Sequence, residues 1–168
     1  MNRKVCLLNE EIGKLLINQL VHEFENYLLY NSFANYFALE GITDLEVYFS
    51  KRAAEEKLHH DWVYNYLTEA DYRIIYPVFK EDKSQHINSM ISAFTATVDR
   101  EIETTQMIYK IYNESIKSGD IMTATWLQKL LIPEQIEEEN TSRIARDIME
   151  MDGDIFIKAK QILNLLEK

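Results

Sequence analysis

The chain has 168 residues, enough for one domain with its own core, and nearly half of them are apolar or aromatic. With only Gly 4 and Pro 2 it lacks the turn residues that an all-β or α/β chain of this size needs, so long helices are expected. A formal net charge of −10 argues against nucleic-acid binding, which needs a basic face, and would attract cations instead.

The lone cysteine, Cys6, cannot close an internal disulfide and fits a reducing compartment. The apolar run Val5 to Leu8 is too short for a signal-peptide core, and no segment reaches membrane-spanning length. A cytoplasmic protein that meets no membrane is the expectation.

From Asn9 to about Leu39 the apolar residues Ile12, Leu16, Leu20, Tyr27, Tyr30 and Ala34 recur at steps of three, four or seven, which marks one face of a long helix ended by Gly41. A second helix is expected from a cap at Thr43 or Asp44 to about Ala70, with Leu45, Phe49, Val63 and Tyr66 inward. Asp71 to Gln85, containing Pro77, reads as a long crossover. Such a connection suits two bundle helices of similar direction. A third helix is expected from Ser84 or Gln85 to about Lys117, with Ile91, Phe94, Val98, Ile108 and Tyr112 inward, followed by the turn Ser118-Gly119-Asp120. The fourth runs from about Asp120 to Met149. Beyond the break at Asp152-Gly153-Asp154 lies a short amphipathic segment with Ile155, Phe156, Ile162, Leu165 and Leu166. The fold class is therefore all-α, a single four-helix bundle with a long crossover between helices two and three and a short fifth helix.

Several acids fall on the apolar stripes, where an unpaired charge is costly to bury. Glu23 follows Leu20 by three and precedes Tyr27 by four and Tyr30 by seven. Glu56 and His59 lie one turn apart between Phe49 and Val63, in a Glu-x-x-His arrangement. Glu101 follows Val98 by three and precedes Ile108 by seven. On the fourth helix Gln135 and Glu138 follow Leu131 by four and seven. Any one of these taken alone is more often a solvated edge residue, and a lone His59 more often a hydrogen-bonded core imidazole. Together, four acids, an imidazole and an amide converging at mid-bundle would carry a severe desolvation penalty unless cations shared the space. Oxygen-rich ligation with one imidazole suits a pair of hard or borderline ions, and two irons fit best.

These residues resemble the bacterial non-haem ferritins over nearly the whole chain. The resemblance is carried by Glu23 with Tyr27-Leu28-Leu29-Tyr30, by Ala54-Glu55-Glu56-Lys57-Leu58-His59, and by Pro133-Glu134-Gln135-Ile136-Glu137-Glu138-Glu139. It implies that Glu23, Glu56 and His59 hold one iron, that Glu56 bridges to a second held by Glu101 and Glu138, and that Gln135 is a weak or water-mediated neighbour. Tyr30 would stand beside the pair as a hydrogen-bond donor or electron source. Glu55, Glu134 and Glu137, sharing Glu138, resemble the third iron site of the same family, although runs such as Glu137-Glu138-Glu139 are commonly solvated faces. Gln135-x-x-Glu138 stands where bacterioferritins carry a second Glu-x-x-His. No methionine occurs between Met1 and Met90, so no haem is expected. Gln128 to Gln135 is one residue longer than the family spacing, and Pro133 sits in the same helix, so a bulge or kink is expected there.

The resemblance implies iron storage: ferroxidase action on Fe(II) with dioxygen or hydrogen peroxide, and a homo-oligomeric cage of twenty-four subunits holding ferric oxyhydroxide. A rubrerythrin-like di-iron oxidase or peroxidase, and a metal-free helical scaffold, are the alternatives. The missing second Glu-x-x-His and the absence of a cysteine-rich segment count against the former.

Overall fold

The computed structural model describes residues 8–79 and 86–167. Cys6, the start of the run Val5 to Leu8, and the expected third-helix starts Ser84 and Gln85 lie outside the described residues. Within them every regular element is a helix, as expected of an all-α chain.

Helix α1 (Glu10–Leu39) starts where Asn9 Oδ1 accepts the Ile12 amide at 2.8 Å, with Glu10 and Glu11 beside the positive end of the helix dipole. It ends at Glu40, and Gly41 takes a φ of 74°, the left-handed conformation that glycine adopts without strain. Helix α2 (Thr43–Glu69) follows at once. The expected cap at Thr43 or Asp44 does not form: Ile42 precedes the helix and no side chain caps it. The turn is so tight that this position points inward, and burial of Ile42 takes the place of a polar cap.

After Ala70 the chain runs without regular structure through 71–79. The Tyr72 ring lies over Gly13 of α1 so closely that a Cβ there would stand 2.1 Å from it. Helix α3 (Met90–Ser118) begins later than expected, because residues 86–89 are not helical and Ser89 with Ser92 forms a reciprocal cap, each hydroxyl accepting the other's amide at 3.2 Å. Gly119, at φ 77°, ends it, and Asp120 Oδ1 accepts the Thr123 amide at 3.0 Å to start the next helix.

The single fourth helix expected from Asp120 to Met149 is two: α4 (Ile121–Lys129) and α5 (Leu131–Glu150), parted at Leu130 with φ −119° and ψ −76°. The break falls just ahead of Pro133. When the helix restarts at Leu131, Pro133 occupies its first turn, where amides have no intrahelical partner to lose. Helix α6 (Ile155–Asn164) is capped by Asp154 and buries Ala159, Ile162 and Leu163 while leaving Phe156 exposed.

The most extensive contacts join α1 to α2 and α3 to α5, with α6 against α2 and α5. Among the described residues, apolar side chains form two clusters. One joins Leu29, Phe33, Phe37, Leu45, Phe49, Phe94 and Met149; the other joins Ile12, Leu16, Leu20, Val63, Leu67, Ile108 and Leu127. The first parts of both α2 and α3 lie in the former cluster, so these helices run the same way and the chain must cross the bundle's length between them. Between the clusters lies a buried polar waist. No described helix is long and apolar enough to cross a membrane.

Candidate metal centre

The waist is built from the same faces that make the core. On α1 the inward stripe of Leu16 and Leu20 continues through Gln19, Glu23, Asn26 and Tyr30, all buried. Helix α2 adds Arg52, Glu56 and His59, α3 adds Glu101 and Thr104, and α5 adds Gln135 and Glu138. Because α5 restarts at Leu131, Gln135 and Glu138 both face inward despite the longer spacing.

Among the described residues, two groups that could hold a metal ion result: Glu23, Glu56 and His59, and Glu56, Glu101 and Glu138. In each, one potential ligand atom per residue lies within 4.8 Å of the others, and Glu56 belongs to both. Among the described residues, no donor lies within hydrogen-bond reach of Glu23 Oε2, Glu56 Oε1 or Glu138 Oε2, all of them buried; Arg52 Nη2 stands 4.0 Å from Glu56 Oε1 and His59 Nδ1 3.7 Å from Glu138 Oε2. A proton between neighbouring carboxylates, or a cation, is what remains to satisfy them. The residues present therefore fit metal ions by donor type, burial and orphaned oxygens.

The remaining oxygens are tethered. Glu23 Oε1 accepts from the Gln19 amide at 2.6 Å, and Glu56 Oε2 from Asn26 at 3.4 Å. Glu101 Oε1 accepts from the Tyr30 hydroxyl and from Arg52 Nη2, each at 2.6 Å, and its Oε2 from Gln135 at 2.9 Å. Gln135 thus appears as a donor that orients Glu101. Asn26 is itself held by Arg100 Nε at 2.8 Å.

Electrostatics follow from this crowding. Burial, then the neighbouring Glu101, pushes Glu23 up to about 7 against its hydrogen bonds to Glu56 and Gln19. Burial and the carboxylates of Glu101 and Glu138 raise Glu56 well above the ordinary range, and burial raises Glu138 likewise despite Arg52. Burial, with Arg52 adding to it, lowers His59 to about 4, so its imidazole is neutral and ready to ligate at any ordinary pH. Burial and then Glu101 raise Tyr30 well above its usual value.

Sequence reasoning missed Arg52, among the largest fully buried side chains of the described residues. Its Nη1 meets Glu138 at 3.0 Å and Glu55 at 3.1 Å, and its Nη2 lies 4.0 Å from Glu56. The guanidinium also stands 5.7 Å from the centre of the Tyr30 ring. Burial opposes its charge, but Glu138 and Glu101 together hold it ionised. The signal was present: Arg52 follows Leu45 by seven and Phe49 by three and precedes Glu56 by four. Gln19 and Asn26, four before and three after Glu23, were legible in the same way.

Glu55, Glu134 and Glu137 line a cavity of about 200 Å³ with Arg52 and Glu138, just outside the centre. Glu55 is half-buried and the other two are exposed. Among the described residues they do not close into a ligand group as the inner carboxylates do.

The profile of the ferritin-like domain family matches residues 13–151. The bacterial non-heme ferritin of Staphylococcus epidermidis is 25% identical over 148 residues, covering 88% of each chain, and that of Staphylococcus aureus is 25% identical over 134 residues, covering 80% of each. In fold, the chain resembles an open pore ferritin from the hyperthermophilic archaeon Archaeoglobus fulgidus, with a TM-score of 0.86 at 21% identity over 93% of this chain and 98% of that one. A humanized archaeal ferritin gives a TM-score of 0.85 at 22% identity over 93% and 96%.

Proposed function

This chain belongs to the ferritin family, and on that premise we propose that it stores iron, taking up Fe(II) in the buried centre of each subunit, oxidising it, and collecting the ferric product inside a hollow homo-oligomer. The observation that carries this reading is that one buried carboxylate, Glu56, belongs to two ligand groups at once. A shared carboxylate holds two ions close enough to deliver electrons to a single oxidant.

In this reading Glu23, Glu56 and His59 take one Fe(II), and Glu56, Glu101 and Glu138 take the other. Gln19, Asn26 and Gln135 hold the carboxylates in place through the bonds described above. Each Fe(II) gives one electron to dioxygen or hydrogen peroxide. Tyr30, bonded to Glu101, orients that carboxylate and stands near enough to serve as an electron source. Glu55, Glu134 and Glu137 form the outer acidic face that receives Fe(III), with Glu138 shared between centre and face. Twenty-four copies make the shell in which ferric oxyhydroxide accumulates, in the cytoplasm and without haem.

The test is an anaerobic Fe(II) titration of the apo-protein followed by air, with stoichiometry, oxidation rate and particle mass recorded together. Saturable fast oxidation followed by continued uptake into a large particle is expected. Tight binding without further uptake would replace storage with a di-iron oxidase or peroxidase, and no binding would return the waist to a structural role.

A further inference from the structure

Arg52 stands where a cation is expected, and its contacts divide unevenly between the two ligand groups. All three carboxylates of the Glu56, Glu101 and Glu138 group have an oxygen within 4.0 Å of an Arg52 Nη atom, at 4.0, 2.6 and 3.0 Å respectively. Of the Glu23, Glu56 and His59 group only the shared Glu56 is touched. A planar guanidinium with two donor edges can hold Glu101 and Glu138 together in a way that a spherical ion otherwise would.

We propose that Arg52 is a built-in cation at the second metal position, so that the two groups load unequally: the Glu23, Glu56 and His59 group first, and the Glu56, Glu101 and Glu138 group only as the guanidinium withdraws. The inference rests on the reading that the waist binds divalent iron, and it adds the order and the control of loading.

Charge balance supports it. In the deprotonated state that ions bind, four inner carboxylates set against one guanidinium leave three negative charges uncompensated. One divalent ion compensates two of these, whereas a second carries the inner group to one net positive charge while Arg52 stays in place, an excess that only the half-buried Glu55 on the outer side of the guanidinium offsets. In a buried site such an excess is disfavoured far more than in water. With a neutral residue at position 52, two divalent ions would balance four carboxylates.

The guanidinium also has somewhere to go. Nη1 already donates to Glu55 at 3.1 Å, and Arg52 borders the cavity of about 200 Å³ lined by Glu55, Glu134 and Glu137. Moving outward exchanges Glu101 for Glu134 and Glu137, with Glu55 and Glu138 bordering the same cavity, so the charge leaves the second position without losing every partner. Second-ion binding is thereby coupled to an acidic pocket on the outer side of the centre.

The experiment is a calorimetric Zn(II) titration of the assembled apo-protein, since Zn(II) takes the same donors and is not oxidised. Glu56→Ala supplies the background from surface acids. The native chain is expected to bind one Zn(II) per subunit above that background, and a second more weakly by on the order of a hundredfold. Arg52→Gln is expected to bring the second affinity within about tenfold of the first, because a neutral amide neither blocks the position nor repels an ion. Two equal affinities in the native chain would overturn the inference whether or not the variant folds, as would a gap unchanged in a folded Arg52→Gln. A purely structural arginine would lower the melting temperature and leave the ratio of affinities alone. No Zn(II) above background in either chain would withdraw the metal-centre reading itself and this inference with it.

Discussion

The hydroxyl of Tyr30 donates to Oε1 of Glu101 across 2.6 Å, tying the first helix to the third at the height of the waist. Tyr30→Phe removes that donor without changing ring packing, and Glu101 keeps Arg52 on the same oxygen. The expected loss is about 1 kcal/mol of stability, the net worth of one buried hydrogen bond whose acceptor retains a partner. Thermal melting of the apo-protein reads it. Iron oxidation should slow in parallel, measured by stopped-flow absorbance. An unchanged oxidation rate would remove Tyr30 from the proposed chemistry.

Glu56→Ala deletes the carboxylate common to both groups. Rapid Fe(II) oxidation should fall by at least about a hundredfold, since neither ion keeps its full ligand set. Apo stability should hold or rise, because a carboxyl pushed this far above its ordinary range is one the fold prefers not to ionise. Light scattering on the same sample separates lost chemistry from lost assembly. Native oxidation kinetics in this variant would sink the assignment of the centre.

The pH dependence has a determined sign. Glu23 is raised from 4.5 to about 7, and Glu56 and Glu138 are raised as well, so the apo fold favours their protonated forms and loses stability as pH rises from about 4.5 through 7. His59, lowered from 6.5 to about 4, acts in the opposite sense and costs stability as pH falls through that window. Three carboxyls outweigh one imidazole. The apo-protein should therefore melt higher at pH 5 than at pH 7.5, and loading with Zn(II) should reverse the order, because ions bind the deprotonated carboxylates. A melting temperature of the apo-protein that climbs from pH 5 to 7.5 would contradict the buried-acid description.

Gly13 sits in the first turn of α1 beneath the Tyr72 ring. Gly13→Ala improves helix propensity by about 1 kcal/mol, which offsets much of the strain of pushing a ring tip aside. Overall stability should therefore change little while the crossover loses its seat. Trypsin cleavage after the exposed Arg73 is the readout, and a several-fold acceleration is expected. Cleavage at the native rate would mean that Tyr72 does not anchor the crossover.

Much of this was readable from the chain. The stripe residues Ile12, Leu16 and Leu20 announce α1 because a helix must repeat its buried face every three or four positions, and Glu23 stands out because it occupies one of those positions. The same rule located Glu56, His59, Glu101 and Glu138. What it could not supply was pairing between helices. That Gln135 serves Glu101, or that Arg52 reaches Glu101 and Glu138 from another helix, depends on rotation and depth, which a single helical period leaves free. The helix break at Leu130 was foreseeable in kind from Pro133, but its place was set by the packing of Leu127 and Leu131 on either side. The late start of α3 came from the mutual cap of Ser89 and Ser92, two ordinary serines whose partnership only the folded turn reveals.

The two apolar clusters are separated by a layer that water-avoidance does not glue together. In the apo-protein each end of the bundle should then open as its own cooperative unit, and amide hydrogen exchange should fall into two classes, one spanning Leu29 to Ala53 and the other the segments around Leu16 and Leu67. Ions bound by all the main helices at once would fasten these halves, and the two exchange classes should merge into one. Under the proposed function, iron in transit would lend the subunit a rigidity that the empty chain lacks, and the mechanical state of the proposed shell's wall would record whether its centres are in use.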